Sequence, residues 1–177
     1  MVSYALDQVA QNGGVPLIVV VMGVAGAGKT TIGKLLAEQL GWEFVDADDF
    51  HSDVNIEKIS QGAALDESDR EPWLDAIRTA ELQRTSQGRD VVLACSALRH
   101  AYREKLEIGP EVRFVYLKGS RELISERLFS RRGHFANPLL LASQFDTLEE
   151  PHDAITVAAE KLPEDIVTEI RTRLGLT

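Results

Sequence analysis

Residues 18–22, Ile-Val-Val-Val-Met, run without interruption into Gly23-Val24-Ala25-Gly26-Ala27-Gly28-Lys29-Thr30. A short, apolar, β-branched run is the pattern of a strand buried on both faces. The segment that follows has the spacing GxxxxGK[ST], which joins such a strand to a helix around a phosphate group. Ile32, Leu35, Leu36 and Leu40 then recur at helical spacing and stop at Gly41, a residue suited to a helix end. This junction restricts the chain to an α/β architecture with a nucleotide phosphate site at a strand terminus.

The residue types fit that task. Glycine and small residues from Gly23 to Gly28, with Thr31 just beyond, let the backbone wrap an anion with its N–H groups inward, and the next helix adds the positive end of its dipole. Lys29 supplies a mobile charge for the β- and γ-phosphates, and the Thr30 hydroxyl is placed for Mg²⁺.

Strand-like runs recur at 17–22, 43–46, 90–95, 112–117 and 155–158, separated by helical patterns. Alternation of this kind predicts a five-stranded parallel sheet with helices on both faces. At 177 residues the chain reads as one domain, 15–177, after a flexible lead-in at 1–14 ending in Asn12-Gly13-Gly14. The crossover at about 51–88 is longer than the sheet requires, so part of it is expected to cover a substrate. It should hold a short helix near 54–61 and a longer one beginning near Ser68 or Asp69. Ser68-x-x-Glu71 has capping-box spacing, and Trp73, Ala76, Ile77 and Ala80 fall on one face. Ser120 can cap a helix carrying Leu123, Ile124 and Leu128, Asn137-Pro138 can start another, and Pro163 can open a last helix with Ile166, Val167, Ile170 and Leu174 inward. A basic, glycine-containing segment at 127–137 suits a mobile lid.

Composition narrows the partners. The net charge of −9, from 28 acidic and 19 basic residues, argues against nucleic acid or an anionic membrane as a partner. An anionic substrate must then be met by a local cationic cluster. Cys95 is the only cysteine, so an internal disulfide is excluded and a reducing cytoplasm is the expected location. No run is long enough to span a bilayer, and no signal peptide is evident at the start.

Ligands of doubly wound sheets bind beyond the carboxyl ends of the strands, which singles out Asp46-Ala47-Asp48-Asp49-Phe50-His51 after the second run. In an extended segment, Asp46 and Asp48 point the same way, putting two carboxylates beside the metal and γ-phosphate. One can serve Mg²⁺ and the other an acceptor hydroxyl; the alternative is an acidic helix N-terminus with solvated charges. Arg127, Arg131 and Arg132 are either phosphate-neutralising forks or a basic helix end. The third run ends in Cys95-Ser96 without an aspartate, so the usual metal acid is missing there and Asp46 is the better metal helper. Ser96 is a polar contact or a helix N-cap, Arg103 a carboxylate fork or a surface arginine, and Cys95 a buried small residue rather than a nucleophile. His51 and His134 lie in candidate site loops without the spacing of a metal centre.

In order along the chain, GVAGAGKT (23–30), DADDFH (46–51), NIEKI (55–59), LDESDREPWL (65–74), CSALRHAYR (95–103), VYLKG (115–119), RLFSRRGHF (127–135) and SQFDTLEEP (143–151) resemble the gluconate kinases. These are small P-loop kinases related in fold to shikimate and nucleoside monophosphate kinases. The resemblance implies ATP- and Mg²⁺-dependent phosphorylation of D-gluconate on its terminal hydroxyl. It implies nucleotide and metal roles for Lys29 and Thr30, a metal-side role for Asp46, and a substrate-facing acid and base at Asp48. It further implies sugar-acid contacts at His51, Arg70 and Arg103, phosphate contacts at Arg127 and Arg131, an adenine-contacting loop at 156–160, and a homodimer. Ala25 and Ala27 depart from the family's usual serines, and Ile59 from its usual methionine. Shikimate or a nucleotide is the rival acceptor. A nucleotide switch is disfavoured, because NKxD and DxxG elements are absent from the sequence.

Overall fold

The computed structural model describes residues 15–109, 111–130 and 138–176. The lead-in at 1–14 and the lid residues Arg131, Arg132 and His134 lie outside the described residues.

The elements follow in the order β1 (Ile18–Met22), α1 (Lys29–Leu40), β2 (Glu43–Asp46), a 3-10 turn (Ala47–Phe50), α2 (Asp53–Ser60), α3 (Glu67–Ser86), β3 (Val91–Ala94), α4 (His100–Leu106), β4 (Val112–Lys118), α5 (Arg121–Ser130), α6 (Pro138–Thr147), β5 (Ile155–Ala158) and α7 (Pro163–Leu174). All five expected strands are present. They form one sheet in the order β2-β3-β1-β4-β5, and every adjacent pair is parallel. Connections from β1 to β2 and from β3 to β4 leave to opposite sides of β1, which makes the end of β1 the topological switch point where such sheets bind ligands. The phosphate loop occupies that point.

Both faces of the sheet are covered, as its apolar strands require. Alternation along β1 divides the core: Val19 and Val21 join Ile32, Leu36, Ile124, Ile166, Val167 and Ile170 on one side, while Ile18, Val20 and Met22 join Trp73, Leu74, Ile77, Tyr102 and Phe114 on the other.

The crossover differs from the sequence reading in two details. The capping box at the start of α3 is built from Asp66 and Asp69, not Ser68 and Glu71: Asp66 accepts the Asp69 N–H, and Asp69 accepts the Asp66 N–H. Ser68 instead donates its hydroxyl to Asp66 Oδ1 at 2.6 Å. The buried face of α3 is Trp73, Leu74, Ile77 and Glu81, and Ala76 is exposed. The NIEKI segment docks α2 on that capped end. Lys58 Nζ meets both Asp69 carboxylate oxygens at 2.7 and 2.8 Å, and buried Asn55 donates to the Asp69 carbonyl at 3.0 Å.

Candidate active site

The phosphate loop leaves β1 and enters α1 through Gly28, whose left-handed backbone (φ 102) caps the helix without a side chain. Gly26 also has positive φ, and a Cβ there would lie 2.8 Å from Leu128 Cγ. The loop is therefore pressed against α5, with no room for a side chain at its apex. Lys29 folds back so that Nζ donates to the Val24 carbonyl at 3.1 Å. Desolvation lowers the Lys29 pKa, and the strongest opposition comes from the carboxylate of Asp48. Asp46, at the end of β2, opposes the shift in the same sense.

Asp46 ends β2 beside Thr30, whose hydroxyl donates to Asp46 Oδ2 at 3.0 Å. Its other oxygen accepts the Asp48 N–H at 3.2 Å and caps the 3-10 turn. The expectation of an extended 46–48 segment is thus corrected. The chain turns into a 3-10 helix at Ala47: Asp46 stays against Thr30, and the Asp48 side chain stands 86% exposed. The helix-capping alternative is met by one Asp46 oxygen, while the other is left facing the Thr30 hydroxyl.

Trp73 on α3 fixes the turn. Its indole Nε1 donates to the Ala47 carbonyl at 2.7 Å, and its ring stacks on His51 with centroids 4.7 Å apart and planes at 10°. His51 Nε2 is 3.9 Å from Asp48 Oδ1, and buried Nδ1 has no hydrogen-bond partner. Desolvation lowers the His51 pKa, Asp48 opposes this, and Arg70 adds to it. Burial against Trp73 thus disfavours the charged imidazolium.

Arg70 lies next to this wall. Its Nη1 is 3.5 Å from Glu67, and its guanidinium is 5.8 Å from the Tyr102 ring centre. Arg99 approaches the same ring at 5.8 Å, and Glu67 Oε1 accepts from both Arg99, at 2.8 Å, and the Tyr102 hydroxyl, at 2.6 Å. Arg99, Tyr102 and Glu67 were not singled out from the sequence. Their signal was the presence of all three inside the 65–74 and 95–103 motifs.

Other expected residues have definite local tasks. Arg103 is 5% exposed, and its Nη1 donates to the carbonyls of Ala97 and Leu98, bracing the turn in which Ala97 has positive φ. Ser96 is not a helix cap, because α4 begins at His100 after Arg99; its carbonyl instead accepts the Gly23 N–H at 3.3 Å. Arg127, near the end of α5, donates to the Ala159 carbonyl at 2.7 Å and so joins that helix to the loop after β5. Burial pushes the Cys95 thiol up to about 12, which keeps it protonated and unsuited to nucleophilic attack.

A divalent metal fits the Thr30 and Asp46 pair. Both present hard oxygens, and Mg²⁺ keeps several waters and takes few protein ligands besides substrate phosphates. Among the described residues, no cluster of three or more acidic, histidine or cysteine side chains offers a protein-only metal cage.

The arrangement has relatives. A family model described as Shikimate kinase matches residues 25–174. A probable gluconokinase from Xenopus tropicalis is 45% identical over 151 residues, covering 76% of this chain and 80% of the relative. The gluconokinase of Arabidopsis thaliana is 42% identical over 177 residues, with 91% and 94% covered. The chain belongs to the gluconokinase family. Within that family, the crystal structure of a gluconokinase from Sinorhizobium meliloti 1021 superposes with a TM-score of 0.82 at 38% identity, covering 92% of this chain and 94% of that one. Gluconokinases share the parallel-sheet P-loop kinase fold described above, and their membership makes this chain a phosphotransferase with an alcohol acceptor.

Proposed function

We propose that the protein is a gluconokinase that transfers the γ-phosphoryl group of ATP to the terminal hydroxyl of D-gluconate, giving 6-phospho-D-gluconate and ADP. The observation that carries this reading is identity of 41–45% to gluconokinases over most of the chain. The site geometry supports a division of labour. Residues 23–31 wrap the phosphate chain, with the N–H groups of Gly26 and Gly28–Thr31 as its donors, since those of Gly23, Ala25 and Ala27 already have protein acceptors. Lys29 neutralises the terminal phosphates, where negative charge is greatest during transfer.

Thr30 and Asp46 would hold Mg²⁺, which supplies charge neutralisation across the β- and γ-phosphates. Exposed Asp48 accepts the proton of the acceptor hydroxyl and orients its oxygen toward the donor phosphate. His51, held by Trp73, accepts or donates a hydrogen bond to a second hydroxyl. Arg70, with Arg99 beside it, gives the local positive charge that an acidic protein needs to attract a carboxylate. Ser96 and Arg103 shape the opposite turn, and Arg127, joined to the 156–160 segment through the Ala159 carbonyl, is a phosphate contact. Arg131 and His134 complete the reading as lid contacts to phosphate and substrate.

Coupled assays of ADP release with gluconate, shikimate and nucleoside monophosphates test it. Gluconate should be preferred by at least about 10²-fold in kcat/KM, as expected when buried polar groups match one acceptor. Equal or greater turnover of shikimate or a nucleotide would overturn the substrate assignment.

A further inference from the structure

The motif at 143–151 sends one side chain into the phosphate loop, and none of the roles above uses it. Gln144 lies on α6, 119 positions from Ala25, and its Oε1 accepts the Ala25 N–H at 2.6 Å. The Val24 carbonyl accepts from Lys29 Nζ at 3.1 Å. Val24 C=O and Ala25 N–H are the two ends of a single peptide unit. That unit is not cis, so it is planar and its N–H and C=O point in opposite directions. Anchoring the N–H on one side helps aim the carbonyl at Lys29 on the other, where it also accepts the Ala27 N–H at 3.2 Å.

The reverse orientation is penalised. Turning the unit over would face the carbonyl oxygen toward Gln144 Oε1 unless the carboxamide also rotated to present Nε2, and in either case it would remove the contacts of the Val24 carbonyl with Lys29 and with the Ala27 N–H. The two observed bonds also reinforce each other, because an amide that donates through N–H becomes a stronger acceptor at its oxygen. Since the loop offers a donor, the carboxamide must present its oxygen, and it does so without adding negative charge to a loop intended for phosphate. A glutamate here could accept the same N–H but would repel the nucleotide.

We propose that Gln144 is a positioning residue for Lys29, acting through the Val24–Ala25 peptide unit to hold the ammonium where the donor phosphates arrive. The inference rests on the ATP reading given above. It differs from a packing role for α6, which has its own attachment to α5: Arg121 pairs with Asp146 at 3.2 Å and lies over the Phe145 ring at 5.1 Å.

Gln144→Met keeps the length and most of the volume but removes the acceptor. It should lower kcat/KM for ATP by about 10-fold, the scale of one lost hydrogen bond, and leave the KM for gluconate within about twofold. The amide of Ala25 should exchange faster in this variant. Gln144→Glu should restore Ala25 protection without restoring ATP affinity. Arg121→Ala, which loosens α6 without touching the loop, should leave both kinetic parameters within about twofold.

Normal ATP kinetics in Gln144→Met, equal losses for both substrates, or the same ATP defect in Arg121→Ala would overturn the proposal. So would tighter binding of a non-hydrolysable ATP analogue, which would make Gln144 an occupant of the loop. Titration with that analogue needs no acceptor. A protein that bound it but ignored gluconate would sink the substrate reading and leave the test of Gln144 intact.

Discussion

The phosphate loop and the proposed acceptor wall reach their geometry by different means. Eight consecutive residues, 23–30, make the loop, and its main instruments are backbone N–H groups, a left-handed glycine and a helix end. The acceptor wall takes Asp48 and His51 from the turn after β2, Trp73 and Arg70 from α3, and Arg99 and Tyr102 from the β3–α4 region. It is held by side chains that meet across long sequence separations, such as Trp73 with Ala47 and Tyr102 with Glu67. A backbone-built site tolerates changes of side chain but not of glycine geometry. A side-chain-built site has the opposite sensitivity, and this allows its specificity to change while the donor chemistry remains fixed.

Substitutions can break either half separately. Lys29→Ala should have the largest effect, a loss of about 10³-fold in turnover, with the melting temperature preserved; an insoluble variant would point to a structural role. Asp48→Asn should reduce kcat by about 10²-fold or more while ATP affinity stays near normal, and comparable losses in ATP binding would place Asp48 on the donor side. Gly26→Ala should weaken ATP use by roughly 10-fold or more and cost about 1–3 kcal/mol of stability. Its Cβ would strike Leu128 at 2.8 Å with φ at +84. Trp73→Phe keeps the ring but loses the bond to Ala47. It should cost about 1 kcal/mol and raise the KM for gluconate without changing that for ATP.

A fifth position tests stability without chemistry. Glu81 is buried on α3, its Oε2 has no partner, and Arg84 Nη1 is 3.5 Å from Oε1. Burial raises its pKa from 4.5 to about 7. The folded state therefore binds the proton more tightly than the unfolded state, so this contribution is full below about pH 4.5 and is lost as pH rises through about 7. Glu81→Gln should raise the melting temperature by several degrees at about pH 8 and change it little at about pH 5. Equal shifts at both pH values would show that the charge is not the cause.

The same contrast explains what could be read from the sequence. Strand positions and the phosphate loop were legible because their signals are contiguous: an apolar run, a glycine spacing, a helical repeat. The start of α3 was not. Ser68-x-x-Glu71 and Asp66-x-x-Asp69 both have cap spacing, and the choice is reinforced by Lys58, which reaches Asp69 from another helix. Likewise, a cap was one of two readings of the acids at 46–48, but nothing local announces that Asp46 will cap with one oxygen while the other meets Thr30, or that Gln144 will reach a loop 119 positions away. The motifs that contain these residues were visible, but their partners belong to the tertiary structure.

The most direct measurement is phosphorus NMR of the product formed from ATP and D-gluconate. One phosphomonoester should appear with stoichiometric ADP, coupled to the methylene protons at C6, and Asp48→Asn should nearly abolish it while still binding the nucleotide. Gluconate-independent ADP release, or phosphate on any other carbon, would contradict a site in which the loop supplies the donor and the wall selects the sugar acid.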